Sequence, residues 1–280
     1  MQLPTLDSLN NVRETEHYQQ QLEQLYQRIT DNGYEQLTVI IDLNVYDKDI
    51  LLLLPHCQQL TVIALKRIHY TFERDVTLIQ VALDISQGQQ VVEQLLALAV
   101  YENNSDSTGS PHGRSIGLWL FDQPITEQLK NDLHLMGQAY SFNSHKRRYL
   151  RYWDPRVFAL LLDIWTPQQQ GQIYQLGITQ LHYLDWQGEL AQAALPKPST
   201  AIPDNEKIIR QSLPFRFSQQ QWQLLEQVEW MNMIIRQLKS QIAITKNILN
   251  IIFVQATRVS KNQIDKNQAV KNIAVAITEQ

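Results

Sequence analysis

The chain has 280 residues, a length that suits about two domains or lobes at roughly 150 residues each. Its 24 Lys and Arg against 28 Asp and Glu give a net charge of −4, which argues against a general nucleic-acid binder, because phosphate affinity needs a concentrated basic excess. A single Cys excludes a disulfide framework and a Cys-based zinc site and suits a reducing cytosol, while 37 Gln give a surface richer in hydrogen-bonding groups than in charge.

Met1 to Gln21 is polar and lacks a basic n-region followed by an apolar core, so no secretory leader is expected. The most apolar stretches, Ile50–Pro55 and Ile248–Val254, fall far short of the ~20 residues of a spanning helix, so a cytoplasmic protein without membrane insertion is expected. Tyr18, Leu22, Leu25 and Ile29 recur at helical spacing, and Asp31-Asn32-Gly33 stops that helix. The β-branched run Leu37–Leu43 predicts a buried strand, and Ile50–Leu54 and Leu60–Leu65 are shorter apolar elements around Pro55. Val76–Leu83 predicts another strand and Gln89–Val100 a helix. Residues 102–114, rich in Asn, Ser, Asp and Gly, predict a long exposed loop. Ile116–Phe121 predicts a strand, Thr126 caps a helix to Met136, and Ala139–Phe142 and Arg148–Trp153 predict two strands joined by a polar turn.

The second half reads differently. One helix opens at Asp154-Pro155 and another at Thr166-Pro167, and the three prolines of residues 194–203 mark a linker. From Ser218 the residues Leu224, Leu225, Val228, Met231, Ile235, Leu238 and Ile242 predict one continuous amphipathic helix, opened by a Ser218/Gln221 capping box. Ile264, Ala269, Val270, Ile273 and Ile277 predict a weaker one at the C-terminus. The expected architecture is α/β: an N-terminal lobe over residues 1–165 with a mixed sheet, followed by a smaller, all-helical C-terminal lobe over residues 166–280.

Catalytic signals are weak. None of the seven His forms a metal-binding pair, and no nucleophile elbow or dinucleotide motif is present. Three alternatives to a binding protein remain. Cys57 beside His56 could serve as a thiol nucleophile, although adjacent strand residues point to opposite faces and the apolar run before Cys57 favours a buried structural thiol. Asp42, Asp47 and Asp49 could gather round a cation, although a solvated acidic strand end explains them. Lys146 to Trp153 joins a basic cluster to aromatic residues that could stack nucleic-acid bases, although a strand edge that keeps its charges solvated would look the same.

The most informative stretch is Arg151-Tyr152-Trp153-Asp154-Pro155-Arg156-Val157-Phe158. Asp154 is a natural N-cap and Pro155 a favoured first helical residue, while Trp153 and Phe158 are spaced for a hydrophobic staple. Arg156 breaks the pattern, because a cation in the first turn opposes the helix dipole. A carboxylate partner is therefore expected for it, from this chain or from another protein. The segment is read as either partner-binding or lobe-organising.

This stretch carries a resemblance. Gly117-Leu118-Trp119-Leu120, the following helix and strands, and RYWDPRVFALLLDIWTPQQQGQIY over residues 151–174 resemble the effector chaperones, or adaptors, of type VI secretion, whose signature ends in Asp-Pro-Arg-Val. Residues 217–225 (FSQQQWQLL) resemble that family's entry into its C-terminal helices. Leu37–Leu43 keeps the Asp of the family's first strand at Asp42 but lacks the Gly-Ala that follows it. The resemblance implies a cytosolic, non-catalytic bacterial protein without a cofactor. Such a protein would bind a toxic effector and help load it onto the spike protein of the secretion apparatus.

Overall fold

The computed structural model describes residues 4–46, 63–64, 76–105, 114–141, 147–175, 177–196, 215–239 and 241–278. Within these the chain is an α/β protein with a helical C-terminal part, as expected. Its main sheet has six strands in the order β2-β3-β1-β4-β7-β8: β1 Gln36–Asp42, β2 Ile63–Ala64, β3 Val76–Ala82, β4 Ile116–Phe121, β7 Leu181–Leu184 and β8 Leu190–Gln192. Every pairing in it is antiparallel, whereas a mixed sheet was expected. Parallel pairing is confined to a second, three-stranded sheet of β5 Gln138–Ser141, β6 Arg147–Tyr149 and β9 Phe215–Phe217, where β5 and β9 run together.

Strands β1, β3 and β4 read as near-continuous apolar runs because helices cover both faces of the sheet. Leu37, Val39 and Ile41 of β1 point into a core closed by α1 Leu6–Arg13, α2 Glu16–Asn32 and α3 Ser86–Ser105. The alternate residues Ile40 of β1 and Leu118 and Leu120 of β4 point the other way. There they meet α4 Glu127–Met136, α5 Pro155–Ile164, α6 Pro167–Gln175 and α7 Gln219–Leu225. Local chemistry sets the helix ends. Thr15, Thr126 and Ser218 each accept a first-turn amide, Ser218 in the full capping box with Gln221, and α2 ends on Gly33 in the left-handed region at φ 64°.

A third core joins the C-terminal helices α8 Val228–Lys239, α9 Lys246–Ser260 and α10 Lys266–Thr278. Trp186, at the tip of the β7–β8 hairpin, is 2% exposed within it, and the neighbouring Gln187 Nε2 donates to the Ile244 carbonyl at 2.5 Å. From α5, Leu160 enters this third core while Phe158, Leu161 and Ile164 enter the second. Helix α5 therefore serves two cores at once.

Three further expectations change. The boundary at residue 166 would assign β7 and β8 to a helical lobe, yet their hydrogen bonds complete the main sheet, and only from Gln219 onward are the described elements all helices. The single helix expected from Ser218 to Ile242 is two, divided at Glu226 and Gln227, with the first serving the second core and the other the third. The exposed loop expected over residues 102–114 does not hold at its two ends. Helix α3 continues to Ser105, and Glu102, Asn103 and Arg114 are all buried. Residues 106–113 lie outside the described residues, as do Ile50–Leu54 and most of the linker at 194–203.

Candidate functional site

The segment Arg151–Phe158 enters the structure directly beneath the main sheet. Gly117 in β4 makes the approach possible: a Cβ there would lie 2.6 Å from the Trp153 carbonyl oxygen and 2.8 Å from that of Ile40, both backbone atoms. Period-two alternation places Asp42, at the end of β1, on the same face as Ile40 and so towards this segment. The Trp153 indole N–H donates to Asp42 Oδ2 at 3.1 Å, and Arg151 Nη2 lies 3.4 Å from the same oxygen. Asn44 donates both its backbone N–H and its side-chain amide to Asp42 Oδ1. A solvated acidic strand end was expected at Asp42; the residue is 1% exposed and fully engaged.

Asp154 caps α5 by accepting the Arg156 backbone N–H at 3.1 Å. The Arg156 guanidinium folds back as a fork, with Nε 3.0 Å from Oδ1 and Nη2 2.9 Å from Oδ2. The carboxylate expected for Arg156 thus comes from the same helix end, two residues earlier. This fork offsets the unfavourable placement of a cation in the first turn. Burial alone would push the Asp154 carboxyl up, but the charge and hydrogen bonds of Arg156, with the charges of Arg151 and Arg114, outweigh it and hold the carboxyl at about 2.

The arrangement continues along the sheet end. The Arg114 guanidinium is 2% exposed and donates to Asn103 Oδ1, which also accepts Lys239 Nζ at 2.7 Å from helix α8. Beside them the Glu102 carboxylate accepts the backbone N–H groups of Ser115 and Ile116 and the Ser115 hydroxyl. Burial pushes Glu102 up to about 7 even against these donors. Asp42 of β1, Glu102 of α3, Arg114 just before β4, and Asp154 and Arg156 at the start of α5 are thus all buried, and the part-buried Lys239 of α8 bonds to Asn103 beside Arg114.

Of the residues singled out in sequence, Tyr152, Trp153 and Phe158 are 0% exposed, Asp154 2% and Arg156 6%; Pro155 is buried, and Arg151 alone is partly open. The rings of Tyr152 and Trp153 stack against each other edge to face inside the core, so neither presents a face to a nucleobase. Arg156 has no outward guanidinium for a docking contact. Among the described residues no group of three or more His, Cys, Asp or Glu could hold a metal ion. Asp47, Asp49, Cys57 and Lys146 lie outside the described residues.

Sequence reasoning missed Glu102, Asn103 and Arg114, which it assigned to a solvated loop. A signal was available, because a Glu and an Arg flanking a polar segment can bind its two ends. It also gave the glutamines to the surface, whereas many of these amides satisfy the chain itself. Gln21 Oε1 accepts the Leu190 N–H at 2.7 Å, and Arg28 Nη2 donates to the Leu190 carbonyl at 2.7 Å, closing the edge of β8. Gln169 donates to the Arg216 carbonyl on β9, and Gln221 to the Ile164 carbonyl at the end of α5. No helix among the described residues is long and apolar enough to cross a membrane. Comparison with protein-family models, curated proteins and solved structures gave no match.

Proposed function

We propose that the chain is a cytosolic, non-catalytic adaptor chaperone that binds a type VI secretion effector and assists its loading onto the spike protein. The observation that carries the reading is the Arg151–Val157 segment, which resembles the family signature and whose side chains form one interlocked corner. Trp153 and Arg151 tie it to the sheet through Asp42, the Asp154–Arg156 fork closes it, and α5 carries it into the helical core. In this role the signature is an organiser of the scaffold, not a contact surface. It fixes the sheet and the C-terminal helices at a set angle, and the partner meets surfaces that this joint holds in place. A cluster whose carboxylates already accept from Arg, Trp and backbone N–H groups suits structural work better than proton transfer.

Co-purification tests this. The tagged protein, co-expressed with the effector encoded beside it and with the spike protein, is expected to retain the effector through size-exclusion chromatography. An effector that elutes separately at micromolar concentrations of both proteins would count against the proposal.

A further inference from the structure

His182 of β7 is a buried titratable side chain that the joint around Asp154 does not use; it is 2% exposed. Its ring meets Phe121 edge to face at 4.9 Å, which puts it on the side of the main sheet that α1, α2 and α3 cover. Its Nδ1 is buried with no hydrogen-bond partner among the described residues. Trp119, opposite it in register on β4, brings an indole N–H, and a donor cannot accept from a protonated ring. Gln192, opposite it on β8, is uncharged. From α2 the Arg28 guanidinium, itself bonded to the Leu190 carbonyl, acts on the ring as a like charge. The carboxylates of the neighbouring elements are turned to other groups. On α2, Glu16 takes Gln20, Asp31 takes Gln27, and Glu23 is exposed. Glu93 of α3 takes the Tyr26 hydroxyl, Glu189 of the hairpin takes Gln21 Nε2, and Asp122 after β4 takes the Glu35 and Gln36 N–H groups. Tyr34, stacked on Phe121, is held neutral by burial. Burial first and Arg28 second push the imidazole down from 6.5 to about 4, against a hydrogen bond at the Gln180 backbone that favours the charged form.

We propose that His182 is an acid-operated latch: a proton on its buried ring, placed beside Arg28 without a counter-charge, detaches the β7–β8 hairpin from the sheet. Strand β7 is held to β4 through two register pairs, Trp119 with His182 and Leu120 with Leu181, and the latch residue stands in one of them. The outer edge of the hairpin is clamped by Gln21 at the Leu190 N–H and by Arg28 at the Leu190 carbonyl, so repulsion of Arg28 acts on the clamp itself. The hairpin tip carries Trp186 into the third core, and its opening therefore also withdraws a side chain from the C-terminal helices. A folded pKa below the unfolded one makes the neutral ring's contribution complete above about 6.5 and lost as pH falls towards about 4. Glu102, Asp132 and Asp185 act in the opposite sense, since burial raises their carboxyls and acid favours them in the fold. Glu102 sits where α3 meets β4, so acid tightens that joint while it loosens the hairpin. The latch goes beyond the adaptor reading and does not rest on it.

The test is hydrogen–deuterium exchange of the full-length protein, read by mass spectrometry at pH 7 and pH 5 and corrected for intrinsic exchange rates. The comparison is H182F, an aromatic ring that still packs on Phe121 but cannot take a proton. An imidazole lowered from 6.5 to about 4 makes the hairpin's opening equilibrium roughly 20-fold larger at pH 5 than at pH 7. Wild type is expected to lose protection by about that factor over residues 181–192, relative to H182F. Protection is also expected to fall in the third-core helices, while β1 and β3 keep theirs. Should H182F not fold, H182Q, which also lacks a titrating ring, is expected to show the same absence of an acid response. Unchanged protection of the wild-type hairpin, an equal acid response in wild type and variant, or opening of β1 and β3 together with the hairpin would each overturn the inference.

Discussion

Replacing Asp154 by Asn removes a charge while keeping a good helix cap, because Asn and Asp serve about equally well at that position. The carboxyl is 2% exposed and is held at about 2, against an ordinary value of 3.8. At about 1.4 kcal/mol per pH unit, that depression corresponds to roughly 2.5 kcal/mol favouring the ionised form in the fold. Loss of the carboxylate also leaves the 6%-exposed Arg156 guanidinium without its fork. Breaking one side of a buried pair costs about 3–5 kcal/mol. D154N is therefore expected to lower unfolding free energy at neutral pH by about 3 kcal/mol, measured by urea denaturation followed through tryptophan fluorescence. D154A, which also removes the cap, is expected to lose a further 0.5–2 kcal/mol or so. A folded pKa below the unfolded one gives stability that is complete above the unfolded value and lost as pH falls through the folded one, so the D154N penalty shrinks between about pH 4 and pH 2. In a double-mutant cycle with R156Q the double variant is expected to be clearly more stable than the sum of the singles implies. A D154N protein within 1 kcal/mol or so of wild type, or strictly additive singles, would refute the internal fork.

Gly117→Ala forces a Cβ to within 2.6 and 2.8 Å of two backbone oxygens, so the joint must open; a markedly lowered melting temperature is expected, and an unchanged one would mean that Trp153 does not lie against β4. Trp186→Ala empties the hairpin tip from the third core and is expected to cost about 3–5 kcal/mol, with earlier proteolysis of the C-terminal helices. Burial raises the Glu102 carboxyl from 4.5 to about 7, so this group's contribution is full at low pH and is lost as pH rises from about 4.5 through about 7. Relative to wild type, E102Q is therefore expected to gain about 3 kcal/mol between pH 4.5 and pH 8 in a pH series of denaturation curves, and a flat difference would contradict that assignment.

The parts of the fold legible in the sequence were those fixed by local chemistry. The period and terminal glycine of Glu16–Asn32, the β-branched run at β1, the Thr126 cap and the Ser218/Gln221 box each act within a few residues. Strands β7, β8 and β9 were not legible. They are only three or four residues long, and long-range pairing makes them strands. In the site, the Asp154–Arg156 pair could be anticipated because its members are two residues apart and Arg156 violates the dipole preference. The bond from Trp153 to Asp42 spans 111 positions and left no local trace. Glutamine misled for a physical reason: its amide serves a buried backbone carbonyl as well as it serves a partner, and composition does not distinguish these uses.

The adaptor reading is tested most directly by deleting the gene in its host and measuring secretion of the effector encoded beside it. The expected result is an effector that is still synthesised but absent from the secreted fraction, restored by the wild-type gene. Secretion at the wild-type level from the deletion strain would contradict the account.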